Sequence, residues 1–267
     1  MSIPKIINYC WFGHGEKPED VKRYMKTWRK YCPDYKIIEW NEENFDINLN
    51  NYVKEAYDAK KYAFVTDYVR LFALYKYGGV YLDTDVEIIR PIDNFLKDKA
   101  FFGFENNDLI STGIIGAEKN NELIKDLMNE YKNLHFIKED GEYDLTANTA
   151  RITTLSVKKY GLIPKSSYQE LKNGVATIYP YDYFSPKNWR TGIINITKNT
   201  YMIHHFSGSW LSKEKKERLE YKNKIISKYI KKYGEKKGKR IGEIIYKSSY
   251  ALTHPIKTLK HINNKEY

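Results

Sequence analysis

The chain has 267 residues, 42% of them hydrophobic and 15% aromatic, with 25 tyrosines and two cysteines. That length and apolar content suit one large domain, or one domain with an appendage, and exclude a disulfide-built scaffold. The formal charge is +11, yet residues 1–211 are balanced and the whole excess falls in residues 212–267, so the basic character belongs to the tail and not to the body.

Residues 5–11 read as a buried first strand, with Pro4 tolerated at its edge. Phe12-Gly13-His14-Gly15 follows as a loop at the strand's carboxyl end, where open α/β sheets bind ligands. Trp11 is therefore placed either to stack on a planar base or to fill the core. Pro18, Glu19 and Asp20 start a helix that runs to Tyr31 and stops at Cys32-Pro33-Asp34. Residues 35–40 are a second strand. Strand, helix, strand opens a nucleotide-binding α/β unit, and neither a GxGxxG nor a P-loop pattern is present, which disfavours dinucleotide binding and P-loop chemistry. Cys10 and Cys32 are not spaced for a metal and read as core residues. With no run of about 18 apolar residues and no leader pattern, a reduced cytoplasmic setting is expected.

A short helix over residues 52–60 leads into the central stretch, residues 62–87. Phe64, Tyr68, Leu71, Phe72 and Tyr75 recur at i, i+4, i+7, i+8 and i+11, one apolar stripe on a helix. Asp67 and Arg70, three apart, share a neighbouring face. Gly78-Gly79 ends the helix and reverses the chain. Val80-Tyr81-Leu82 is then a short buried strand, followed by Asp83-Thr84-Asp85 with both carboxylates on one side if the chain stays extended. Two carboxylates one residue apart at a strand end are half a site for a hard divalent cation, Mg²⁺ or Mn²⁺. The plain alternative makes them a solvated turn, and Asp67–Arg70 a surface ion pair.

Residues 86–89, 101–104 and 111–117 read as strands, the last with glycines at points of close approach. Residues 120–134 are an amphipathic helix with Leu123, Leu127 and Tyr131 on one stripe. Residues 139–143 are a polar loop, and residues 146–150 lead into a helix that ends at Tyr160. Residues 176–179 are a strand and 181–186 an aromatic loop. Residues 201–203 form a last core strand that runs into His204-His205-Phe206-Ser207-Gly208-Ser209-Trp210. An imidazole nitrogen is an acceptable Mn²⁺ ligand, and the Ser209 hydroxyl and Trp210 N–H are phosphate donors. Residues 212–233 are a charged helix with Leu219, Ile226 and Ile230 in a thin stripe. Residues 234–240 are a basic break, and 241–252 a more apolar helix ended near His254-Pro255. Such a tail suits either the inner face of an anionic membrane or a solvated helix packed on the body. It lacks the reading surface a nucleic-acid partner needs.

The stretch TDYVRLFALYKYGGVYLDTDVE resembles the core of the DXD-type glycosyltransferases related to yeast α-mannosyltransferases and bacterial capsular polysaccharide enzymes. More distantly it is similar to the catalytic domain of clostridial glucosylating toxins. The resemblance runs from Ile3 to about Trp210. It implies an α/β fold of the GT-A type, Rossmann-like, over residues 1–211, with residues 212–267 as a helical extension. It also implies a nucleotide-sugar donor (UDP favoured), Mn²⁺ or Mg²⁺, retention of anomeric configuration, and a glycan or lipid-linked oligosaccharide acceptor in surface polysaccharide synthesis. Carried over by residue, Asp85 and His205 ligate the metal, with Asp83 orienting it and binding the ribose. Asp67 and Arg70 fix the ribose and the phosphate or sugar, Tyr81 lines the donor site, and Trp11 stacks on the base. Ser209 and Trp210 close over the diphosphate. His205 is preferred to His204 by counting back from Trp210. Asn148 stands near the donor sugar or acceptor, or else caps a helix. Two rivals stay open: a metal-dependent hydrolase of nucleotide sugars or phosphoesters, and a non-catalytic basic membrane- or nucleic-acid-binding module whose Asp pair is incidental.

Overall fold

The computed structural model describes residues 2–208 and 213–253. The expectations for Ser209, Trp210 and the tail beyond Thr253 fall outside them. The strands are β1 (Ile6–Cys10), β2 (Lys36–Trp40), β3 (Gly79–Leu82), β4 (Val86–Ile88), β5 (Ala100–Phe104), β6 (Ile110–Ala117), β7 (Gln169–Glu170), β8 (Thr177–Tyr179) and β9 (Met202–His204). The helices are α1 (Glu19–Tyr31), α2 (Asn51–Asp58), α3 (Tyr62–Tyr77), α4 (Glu122–Glu130), α5 (Asn148–Tyr160), α6 (Tyr181–Phe184), α7 (Lys213–Tyr233) and α8 (Glu235–Thr253). Seven strands form one sheet in the order β2-β1-β3-β6-β5-β8-β7, and β4 and β9 form a separate ribbon. The first three neighbours are parallel, but β6 runs antiparallel to both β3 and β5. The fold is thus mixed α/β, with a helical C-terminal region.

The inner strands β3, β5 and β6 are buried along their whole length, so they are mostly apolar instead of alternating with polar residues. The period of two still sorts their side chains. Tyr81, Phe102 and Ile115 go to one core with Tyr52, Val69 and Leu127, whereas Ile7, Val80, Leu82 and Phe101 go to the other with Trp28. α3 departs from its expected single stripe. Val65, Val69, Ala73 and Leu74 are buried, while Phe64, Phe72 and Tyr75 are only partly so. The helix is packed against β1, α2 and α4, so it is covered on more than one side and a single stripe understates its burial.

The turn between α3 and β3 needs glycine. Gly78 caps the helix at φ +70°, and its N–H donates to the Leu74 carbonyl over 2.8 Å. Gly79 follows at φ +107°, where a Cβ would come within 2.6 Å of the Ile6 carbonyl oxygen. The sheet registers β3 so closely on β1 that a side chain has no room there.

The chain divides into two compact units, residues 1–187 with 195–210, and residues 188–194 with 211–267. The loop 188–194 joins the tail because the Trp189 carbonyl accepts from Asn223 Nδ2 over 3.1 Å. Within the second unit the expected basic break does not occur. α8 begins at Glu235, and only Gly234, at φ +78°, separates it from α7. Lys, Arg and Glu are good helix formers whatever their charge, so one left-handed glycine makes the whole corner.

Gly79→Ala should lose about 2 kcal/mol or more of stability, combining a strained positive φ with a clash against backbone. Gly15→Ala, where an added Cβ would meet nothing within 4 Å, should be close to neutral. Urea midpoints of the two variants at unchanged slope would check this.

Candidate active site

The site assembles where β3 ends and β6 begins, at the carboxyl end of the parallel strands. Its base is Arg70, on α3 and only 4% exposed. The guanidinium donates from Nε to the Thr66 carbonyl (3.1 Å), from Nη2 to Thr66 Oγ1 (3.2 Å) and from Nη1 to the Thr112 carbonyl. It pairs with Asp67 Oδ1 at 3.1 Å and Asp83 Oδ1 at 3.5 Å, and lies 4.8 Å from the centre of the Tyr81 ring. Burial works against its charge, but Asp83, Tyr81 and Asp67 outweigh it and hold the guanidinium ionised. The pair is therefore not a surface ion pair. With five N–H donors in a rigid fork, Arg70 ties α3 to β6 and to the acidic turn at once. Asp67 shares its other contact with Asn148, whose Nδ2 donates to Asp67 Oδ1 over 3.3 Å while its Oδ1 accepts from the Tyr131 hydroxyl over 3.0 Å. Asn148 is the first residue of α5, with Ala147 at the cap, so it bridges and does not cap. Burial pushes the Asp67 carboxyl up to about 6, against the pull of Arg70.

The two aspartates do not stay extended. Val86 N–H donates back to the Asp83 carbonyl over 3.0 Å, so residues 83–86 make a tight turn, and Asp83 N–H donates to the Gly113 carbonyl over 2.8 Å. The carboxylates still converge. Asp83 Oδ1 accepts from the Tyr81 hydroxyl at 2.9 Å, and Asp85 Oδ2 from the Ser207 N–H at 2.6 Å. Their remaining oxygens face His204, whose Nε2 is 3.3 Å from Asp85 Oδ1 and 3.8 Å from Asp83 Oδ2.

This corrects the expectation for His205. His204 is the last residue of β9 and stands opposite Val86 in β4, and successive strand residues point to opposite sides. The ring that reaches the aspartates is therefore that of His204. His205 turns the other way, with Nε2 2.9 Å from Glu87 Oε2 and its ring stacked 4.4 Å from that of Tyr24. Counting back from Trp210 could not see this; the register of β9 on β4 decides it. Burial works to lower the His204 pKa, but Asp85, Asp83 and Glu105 raise it to about 9. Burial likewise opposes the Asp85 carboxylate, and His204 and the Ser207 N–H outweigh it and hold it well below the usual range.

Glu105 was not singled out from sequence. It follows the last residue of β5, and burial pushes its carboxyl up while His204 opposes. Phe101–Phe104 running into Glu105 repeats the pattern of Val80–Leu82 running into Asp83, an apolar strand that ends in an acid. Trp11 lies just past β1, half-buried, with Nε1 donating to the Gly15 carbonyl over 2.6 Å and Lys17 Nζ 5.4 Å from its ring centre.

Asp83, Asp85 and His204 each offer one ligand atom, all within 4.8 Å of one another. Two features suit a cation there. His204 Nδ1 is buried without a hydrogen-bond partner, and the bare Cα of Gly113 leaves the cradle open, since a Cβ would come 2.8 Å from both Asp83 Oδ2 and His204 Cε1. Two hard oxygens and one imidazole fit a divalent ion of the Mn²⁺ or Mg²⁺ kind.

Residues 18–102 match the family described as the glycosyltransferase sugar-binding region containing the DXD motif. Among curated relatives, the chain is 32% identical over 147 residues to the inositol phosphoceramide mannosyltransferase 3 of Schizosaccharomyces pombe, covering 51% of this chain and 40% of that one. It is 30% identical over 106 residues to the initiation-specific alpha-1,6-mannosyltransferase of Candida albicans, covering 36% and 28%. The chain thus spans well under half the length of these relatives. Of solved structures, a glycosyltransferase involved in glycosylation of the major capsid of PBCV-1 aligns over 81% of this chain and all of its own, at 14% identity and a TM-score of 0.42.

Titration calorimetry with Mn²⁺ should show binding that Asp85→Asn and His204→Ala each weaken at least tenfold, whereas His205→Ala leaves it nearly unchanged. Since His204 holds its proton below about 9, the cation must displace it at neutral pH. Apparent affinity should therefore rise with pH, by up to about tenfold per unit, and level off near that value.

Proposed function

We propose that residues 1–211 form the catalytic domain of a metal-dependent retaining glycosyltransferase. It moves a sugar from a nucleoside-diphosphate donor, with UDP as the favoured nucleotide, to a hydroxyl of a glycan or lipid-linked oligosaccharide in surface polysaccharide synthesis. The observation that carries the reading is the convergence of Asp83, Asp85 and His204 on one point, inside a chain whose segment 18–102 matches the DXD-containing sugar-binding region. The relatives named above as mannosyltransferases support hexosyl transfer, and inositol phosphoceramide in one of their names supports a lipid-borne acceptor.

A divalent cation on those three side chains would neutralise the negative charge that grows on the leaving diphosphate. The rest of the work falls to the chain itself. Arg70 pins Asp83 at the angle the site requires, while the Tyr81 hydroxyl and Asp67 flank it. Asp67 is assigned to a ribose or sugar hydroxyl, with Asn148 holding its carboxylate in place. Arg70 spends most of its donors on protein, so its contribution to the donor phosphate is mainly its charge. Trp11 is assigned to the nucleobase, and Ser209 and Trp210 to the diphosphate. No side chain of this set is required as a nucleophile, in keeping with a front-face displacement in which the leaving phosphate helps to deprotonate the acceptor.

Thermal-shift measurements on the whole chain with UDP- and GDP-sugars, with and without Mn²⁺, should show one nucleotide raising the midpoint only when metal is present. Asp85→Asn should abolish that shift and lower nucleoside-diphosphate release at least a hundredfold. A wild type that no nucleotide sugar stabilises would defeat the reading.

A further inference from the structure

The second unit carries a surface that the transfer chemistry leaves unused. α7 and α8 pack through glycines. A Cβ on Gly238 would meet the Tyr229 carbonyl oxygen at 2.3 Å and Ile230 Cα at 2.4 Å, and one on Gly242 would meet Ile226 Cα at 2.8 Å. Tyr246, four residues further on, is buried and accepts from Arg218 Nε over 2.9 Å. Positions 238, 242 and 246 therefore take the inward face of α8, at the spacing of one helical stripe.

The outward face is not polar throughout, as that of a solvated helix would be. Ile244 stands at its centre, 56% exposed, and Ile245, on the flank of the same helix, is 40% exposed. Lys237 precedes Ile244 by seven residues, Arg240 precedes it by four and Lys247 follows it by three, so helical periodicity puts all three on the same outward stripe. All three are exposed. Exposed β-branched apolar residues flanked by cations, in the part of the chain that holds the entire +11, are the composition of a helix that lies in a bilayer interface. Among the described residues no helix is long and apolar enough to cross a membrane, so the face fits lying on a bilayer.

We propose that the outward face of α8 docks on an anionic lipid bilayer. Ile244 and Ile245 enter the headgroup–acyl boundary, and Lys237, Arg240 and Lys247 meet the lipid phosphates. A nucleic acid would use the cations but would gain nothing from the isoleucines between them, so the apolar centre favours lipid. Docking would hold the chain at a surface where a lipid-borne acceptor resides. To that extent the inference rests on the acceptor reading above, although the binding itself does not.

The test is flotation of the full chain with large vesicles of phosphatidylcholine alone, and of phosphatidylcholine mixed with phosphatidylglycerol. The wild type should float with the mixed vesicles and not with the neutral ones. Each cation near an anionic surface is worth about fivefold in partitioning, so the triple variant K237Q/R240Q/K247Q should bind about a hundredfold more weakly at low salt. Ile244→Glu with Ile245→Glu should also release the chain, with a loss that high salt does not mask. Because these positions are exposed, circular dichroism should show unchanged helix content in both variants. Equal binding to neutral and anionic vesicles, binding indifferent to both sets of substitutions, or retention by duplex DNA with no vesicle binding would overturn the proposal. Vesicle binding without any nucleotide-dependent thermal shift would defeat the active-site reading alone, and the reverse result would defeat this one alone.

Discussion

The structure of the first unit turns on one buried cation. Burying an unpaired carboxylate in protein carries a penalty of several kcal/mol, and the strand ends around β3 gather several acids in a small volume. Arg70 makes this tolerable. Its guanidinium touches Asp67 and Asp83 while its remaining donors go to Thr66 and Thr112. An ion pair of this kind adds little net stability, because desolvation offsets most of the attraction. Its value is positional: it holds a helix, a strand end and a turn in one arrangement. Lysine could not take its place, since a single ammonium lacks the planar fork that reaches four partners.

Around that pivot the topology supplies the remaining groups. β6 runs antiparallel to β3, so its first residues, and not its last, lie beside the acidic turn. Gly113 can then pass under Asp83 and His204 without a side chain in the way. The β4–β9 ribbon does the same for the imidazole, bringing residue 204 back across more than a hundred residues to meet residue 85. His204 and Asp85 hold each other as an ion pair, each shifting the other against burial. The proton on His204 is the group a metal there would have to displace.

The second unit follows a different logic. It is a helical hairpin whose close contact depends on Gly238 and Gly242, and its amphipathic character points outward. Charge that would be excessive in a folded body is spread there along two helices, where exposed lysines remain hydrated.

Much of this was legible from the amino-acid order because it is local. The helix that carries Asp67 and Arg70, the Gly78-Gly79 stop, the short buried strand and the paired aspartates all lie within about two dozen residues, and periodicity, glycine conformation and strand-end chemistry are short-range properties. The sequence by itself therefore determined the α/β class, the paired aspartates at a strand end and where the basic charge resides. It pointed to His205 where the fold brings His204 to the aspartates, because strand register depends on a partner far away in the chain. It missed Glu105 because an acid after a strand looks solvated until the sheet order closes over it. The run of charge at residues 234–240 looks like a break in the amino-acid order alone, but a helix whose charged side chains reach water tolerates it. Tertiary structure alone decided which groups share one low-dielectric pocket, since burial and Coulomb coupling depend on distances that no local pattern encodes.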